Sequence, residues 1–229
     1  LLVLSWVASR QVRVNVPRRA KGGVGVAQGW QVLRQSRYLM LMLGLIATVQ
    51  VVTSLVDYQF SVMLEQAYPS TDERTGIIGN VYAAIDAGSL SLQLLTGPIL
   101  KLVGVPVTLL AVPLIVGGTL VAFVLSPLFL TMAVAKVAGK CLDYSIFRAA
   151  KEILYIPLNY EEKTQGKALV DIMSYRVAKG GASLAVLGLT ALGVLGLVTA
   201  LSVALVSVWV GLTVLVTRRY RRRVDHVEH

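Results

Sequence analysis

The chain is short of the residues that carry most enzyme chemistry. It has one cysteine, Cys141, and two histidines, His226 and His229, both in the last four positions. A single thiol excludes an intrachain disulfide and leaves the redox compartment open. The histidines stand without a cysteine or carboxylate cage at metal-ligand spacing, so no metal site and no cofactor are expected. HExxH, the nucleophile elbow and GK[ST] are all missing. The glycine-rich stretch Val24 to Gly29, which reads as flexible, places Gln28 where GxGxxG requires glycine. Enzyme activity is not expected. Charge is scarce too: 15% of residues are charged, well under the usual quarter of a soluble domain.

What is present is apolar. Hydrophobic residues make up 55% of the chain and mean hydropathy is +0.70. Six apolar segments run at Tyr38–Gln66, Ile77–Leu100, Val105–Leu125, Leu128–Ile156, Gly166–Leu192 and Val194–Val216. Each reaches or approaches the ~20 residues that cross a bilayer core, and backbone hydrogen bonding in lipid makes them helices. Pro69, Pro106, Pro127 and Pro157 fall at the boundaries. The chain opens Leu1-Leu2-Val3-Leu4, with neither an initiator Met nor the charged start of a signal peptide. Residues 1–9 read as the end of a truncated transmembrane helix, so a fragment or one half of something longer is expected. Residues 10–37 read as a basic cytoplasmic loop, 38–216 as a six-helix transmembrane half-domain, and 217–229 as a basic cytoplasmic tail.

The net charge of +10 is a matter of topology. Lys and Arg in alternate connections number 15 on one side (Arg10 to Arg37, Lys101, Lys163 with Lys167, Arg218 to Arg223) and one, Arg74, on the other. The basic side is cytoplasmic by the positive-inside rule, which puts the C-terminus there, most simply in a bacterial inner membrane. A run such as Arg218 to Arg223 anchors topology and attracts anionic membrane lipid rather than nucleic acid.

Ionisable residues also occur within spans. The segment Ala133 to Pro157 carries Lys136, Lys140, Asp143, Arg148, Lys151 and Glu152, and the next carries Lys167, Asp171, Arg176 and Lys179. Such groups cost roughly 2.5 kcal/mol or more at membrane depth and face a bundle interior or a wet cavity. At helical spacing they form stripes: Gln50, Ser54, Asp57, Ser61 and Glu65; Tyr82, Asp86, Ser89 and Gln93; Lys136, Lys140, Asp143, Phe147 and Lys151; Lys167, Asp171, Tyr175 and Lys179. The third and sixth spans have no charge and can sit against lipid. Taken one at a time, Lys136, Lys140 and Lys151 could pair with Asp143, Glu152 and Asp171 to hold helices together. Taken as a set, Lys136, Lys140, Arg148, Lys151, Arg176 and Lys179 against Asp143, Glu152 and Asp171 leave about three positive charges over, which suits an anionic solute such as a phosphate. Arg148, Lys151 and Lys163 lie near the cytoplasmic end, where snorkelling to headgroups is the plainer reading. Tyr144, Phe147 and Tyr175 read as packing more readily than as stacking on a base.

Two three-helix repeats with the third helix outermost resemble one half of a major-facilitator-type transporter. A sharper resemblance lies in Asp143 to Ser183. Lys151-Glu152, Tyr155-Ile156-Pro157-Leu158, Glu161-Glu162-Lys163, Gly166-Lys167-Ala168, Asp171 and Lys179-Gly180 follow one another in order. This region, about 40 residues of 229, resembles the signature of the nucleotide transporter family typified by ATP/ADP translocases of plastids and intracellular bacteria. The resemblance implies exchange of nucleotides or other phosphorylated anions by alternating access. Together with the surplus of charge it makes Lys136, Lys140, Asp143, Lys151, Glu152, Asp171, Tyr175 and Lys179 the expected substrate-binding set; a carrier of the same fold for another solute would have Asp57 and Asp86 available for proton coupling. The partners expected are a nucleotide-like anion, membrane lipid, and a missing N-terminal half or another membrane subunit. The alternative is a non-transporting scaffold subunit that retains the half-fold.

Overall fold

The computed structural model describes residues 26–191 and 196–225. Positions 1–25, which include the expected end of a span and most of the basic stretch, lie outside the described residues, as do 192–195 and 226–229. Among the described residues every regular element is a helix. These are α1 (Val26–Gln35), α2 (Arg37–Ala67), α3 (Thr71–Val103), α4 (Val105–Leu125), α5 (Phe129–Leu142), α6 (Arg148–Leu154), α7 (Lys167–Ala191) and α8 (Gly196–Asp225). A π turn, Asp143–Phe147, joins α5 to α6, and a second, Glu162–Gly166, leads into α7.

The chain is thus all-α, and four helices are long and apolar enough to cross a bilayer: α2, α3, α4 and, over Leu197–Val224, α8. The two remaining apolar segments became α5–α6 and α7, whose ionisable residues lower their hydropathy. The boundary prolines fall as expected. Pro69 lies between α2 and α3, Pro106 in the first turn of α4, Pro127 between α4 and α5, and Pro157 after α6. Gly104 makes a one-residue corner between α3 and α4 with φ of +83°, a conformation that side chains with a Cβ resist. Ser36 separates α1 from α2 with an extended backbone, and its hydroxyl accepts the Leu39 amide at 3.4 Å.

One reading is overturned. The supposedly flexible stretch at Val24 to Gly29 is helical from Val26. Packing explains it: Gly29 is buried, and a Cβ there would stand 3.3 Å from the Gln165 carbonyl oxygen, so glycine lets α1 lie against the second π turn.

α2 runs through the centre, burying Leu39, Met42, Leu45, Val49, Val52 and Leu55. It packs on α5, α7 and α8, while α5 packs on α2, α3 and α4, and α4 meets α8. Exchanging α2 with α5, α3 with α7 and α4 with α8 maps these pairings onto one another. Lipid tails are as apolar as leucine, so close fit rather than dehydration holds such helices together. A Cβ on Gly88 would stand 2.7 Å from the Cys141 Sγ, which sets the approach of α3 to α5. A polar clamp adds specificity between α2 and α8. Gln59 donates to the Ser202 hydroxyl at 2.9 Å and accepts from Thr199 at 2.8 Å.

Candidate functional site

The charged stripe of the fourth span starts in the bundle core. Lys136 and Lys140 sit one turn apart on α5, with side chains only 5% and 10% exposed. Both reach the same carboxylate across the bundle. The Asp57 oxygens lie 3.2 Å from Lys136 Nζ and 2.7 Å from Lys140 Nζ. The Lys136 ammonium also stands 4.2 Å from the Phe60 ring centre and 5.4 Å from that of Tyr82. Two buried cations sharing one anion leave a positive surplus, which the ring faces offset in part.

Toward the connector between α6 and α7, a cavity of about 320 Å³ opens among α2, α5, α6 and α7. Its lining is Ile46, Gln50, Thr53, Lys140, Asp143, Tyr144, Phe147, Arg148, Lys151, Tyr175 and Lys179. Four basic side chains therefore face one carboxylate. Lys151 is offset from behind by Asp171 at 3.2 Å. Lys179 instead lies over the Tyr175 ring, 4.7 Å from its centre. Among the described residues Arg148, Arg176 and Lys179 have no carboxylate within 4.0 Å. Five basic groups around the cavity (Lys136, Lys140, Arg148, Lys151, Lys179) meet three acidic ones (Asp57, Asp143, Asp171), so two positive charges are uncompensated. Ammonium and guanidinium groups converging with two tyrosine rings can hold a phosphorylated anion.

The π turn bears directly on this lining. It widens the helix at Asp143–Phe147, and Asp143, Tyr144 and Phe147 all reach the cavity from it. π turns of this kind recur at functional sites.

Of the expected binding residues, the fold brings Lys140, Asp143, Lys151, Tyr175 and Lys179 to one cavity. Asp171 stands behind Lys151, and Asp57 behind Lys140. Lys136 is buried one turn away, off the cavity lining. Glu152 is exposed and pairs with Lys167. Asp86 is exposed on α3, away from the cavity. The helix-holding pairs anticipated within the fourth and fifth spans were right only for Lys151 with Asp171. Lys136 and Lys140 pair with α2, and Glu152 with Lys167.

Arg148 and Tyr144 line the cavity although their spacing first suggested headgroup contact and packing. The available signal was position: they follow Lys140 by four and eight residues on the same stripe. Of the α2 stripe only Gln50 reaches the cavity, joined by Thr53. Ser54 and Ser61 instead return their hydroxyls to their own helix, bonding the Gln50 and Asp57 carbonyls.

Comparison with known proteins adds the family. The TLC ATP/ADP transporter profile matches residues 3–131 and 119–220. ADP,ATP carrier protein 1 of Chlamydia trachomatis is 26% identical over 214 residues, covering 83% of this chain and 40% of that protein. ADP,ATP carrier protein 2, chloroplastic, of Arabidopsis thaliana is 24% identical over 204 residues, covering 79% and 33%. A stretch of 66 residues is 41% identical to ADP,ATP carrier protein 5 of Rickettsia bellii, covering 28% and 13%. The chain spans well under half the length of these relatives. No solved structure matches. With four helices able to cross a bilayer and a match that runs from residue 3 to residue 220, this is an integral membrane protein of the TLC ATP/ADP transporter family.

Proposed function

We propose that this chain forms the phosphate-binding half of an alternating-access carrier that exchanges nucleotides or other phosphorylated anions. The observation that carries the reading is the cavity of about 320 Å³, lined by four basic groups and one acidic group among packed helices. Uncompensated positive charge at that depth is costly unless an anion or water offsets it. A scaffold subunit has no use for such a surplus, which weighs against that alternative. The relatives are named as ADP,ATP carriers, which favours a nucleoside polyphosphate over other anions.

The exchange relation among helix pairings supports two three-helix repeats of major-facilitator type, with α5–α6 and α7 completing six spans. Midplane binding between repeats and rocking around the site then follow the usual physics of such carriers. The basic residues near Arg37, Lys101, Lys163 and Arg218 to Arg223 support a cytoplasmic C-terminus. A bacterial inner membrane is the location we propose, in keeping with the Chlamydia and Rickettsia relatives. Asp57 is better placed than Asp86 for coupling, because it is in contact with two buried lysines, whereas Asp86 is exposed away from the cavity.

Lys179 and Arg148 give the clearest test. Neither is in an ion pair among the described residues, so neutralising either leaves no orphaned carboxylate. Lys179→Gln and Arg148→Gln should each weaken binding of labelled ADP to the purified chain by about tenfold while Tm stays unchanged. Unaltered ADP binding in both variants would defeat the proposal.

A further inference from the structure

The basic run at the end of α8 divides into two faces with different surroundings. Arg219, Arg222 and Arg223 line a groove that also holds Glu161 and Glu162, and Arg223 forks onto the Glu162 carboxylate at 2.9 and 3.3 Å. Two carboxylates stand among these arginines and Arg37, and Arg223 is paired. Arg218 and Arg221 point the other way, into a groove of about 210 Å³ between the first turn of α4 and the last turns of α8. Val107, Leu110 and Val214 form its apolar wall, and no carboxylate lines it.

We propose that the α4–α8 groove seats an anionic phospholipid, its phosphate held by Arg218 and Arg221 and the start of an acyl chain laid along Val107, Leu110 and Val214. Three observations agree on that ligand. First, the groove is amphipathic along its length: aliphatic where α4 and α8 have no charge, cationic where α8 leaves the bilayer. A free phosphate would gain nothing from the aliphatic part. Second, the first turn of α4 borders the groove, so the positive end of its dipole adds to the two guanidinium groups. Third, Thr217, which also lines the groove, has a buried Oγ1 with no partner. Thr213, one turn earlier, shows the ordinary solution by bonding the Trp209 carbonyl at 2.8 Å. The Thr217 hydroxyl beside the groove is thus left without a partner. Arginine forks match phosphate geometry, and basic residues at this level favour anionic headgroups. This inference is independent of what the cavity carries.

The test is native mass spectrometry of the purified protein with phosphatidylglycerol or phosphatidylcholine added. Two headgroup-level arginines should favour the anionic lipid by about 30-fold. Arg218→Gln combined with Arg221→Gln should bring the two lipids near parity, while Arg219→Gln with Arg222→Gln should keep the preference. Val107→Trp retains every charge and fills the groove, and it should also remove the preference; this variant decides the matter if the double variant fails to fold. Equal loss in both arginine pairs would mean diffuse attraction and overturn the seat. Displacement of the lipid by millimolar inorganic phosphate would mean that phosphate alone is recognised, and would overturn the lipid assignment.

Discussion

Asp57 is the residue on which the buried charge cluster turns. It is the shared anion of Lys136 and Lys140, whose side chains are nearly inaccessible. Removing one partner of a buried pair typically costs ~3–5 kcal/mol, because the charge left behind cannot be solvated. Asp57→Asn strands two such charges, so it should fall at or above that range. Lys136→Met removes one of two cations and leaves a balanced pair of Asp57 with Lys140. It should cost far less, about 1 kcal/mol or below, since replacing buried charge by an apolar side chain of similar shape is often neutral. Thermal melts of both variants in detergent check the order, and equal losses would show that Asp57 is not the hub. The sequence reveals the members of this cluster but not their pairing. Stripe spacing identified Lys140, Asp143, Lys151 and Lys179 because it reports which side chains share a helix face. It says nothing of which face meets which, and Asp57 is 83 positions from Lys140. That pairing is a property of how α2 and α5 cross.

Between elements, the close contacts are small-residue contacts. Gly88 leaves no room for a methyl beside the Cys141 Sγ, which itself donates to the Ile85 carbonyl at 3.4 Å. Gly88→Ala should therefore push α3 off α5 and lower Tm, and Cys141→Ala in the same background should restore part of the loss. A double-mutant cycle reads the coupling, and purely additive effects would deny the contact. The connector before α7 is tied differently. The Glu162 carboxyl is raised by burial, but the Arg223 fork, the Ser36 hydroxyl and the Asn159 amide outweigh that and hold it below the usual carboxylate range. A depressed folded pKa gives stability that is present above the unfolded value of about 4.3 and is lost as pH falls through the folded one. Arg223→Gln should accordingly be less stable than wild type at pH 7, with the gap closing below about pH 4; a gap that persists in acid would refute the tie. Helix boundaries were legible because proline and Gly104 mark them. The two π turns and α1 were not, since a widened turn leaves no mark in residue type and α1 is held by docking against Gln165.

For the whole molecule, the unsolved problem is the open polar surface. Tyr82 is 47% exposed on α3 and Tyr175 57% exposed on α7, with Asp86 and Arg176 also exposed on those helices. α3 is the least covered of the four apolar helices, only 17% of its apolar window being buried. Lipid solvates carboxylate and guanidinium groups poorly, so on the proposed carrier reading a further surface is needed to cover these faces. Orientation is the first thing to establish. With Cys141 replaced, a single cysteine at Ser70 should react with an impermeant thiol reagent from outside, and one at Tyr160 only after the membrane is opened; both positions are exposed. The reverse pattern would invert the charge-based topology. Covering follows. On the proposed alternating-access reading, the helices around the cavity need a second set to rock against. We therefore expect the 229 residues alone to bind ADP weakly and to show no counterflow in liposomes. Co-expression with a segment that packs on α3 and α7 should restore both, and crosslinks should then run from Asp86 and Tyr175 to that partner. Nucleotide exchange by the isolated monomer would show that the exposed faces of α3 and α7 need no partner, and would count against the two-walled carrier itself.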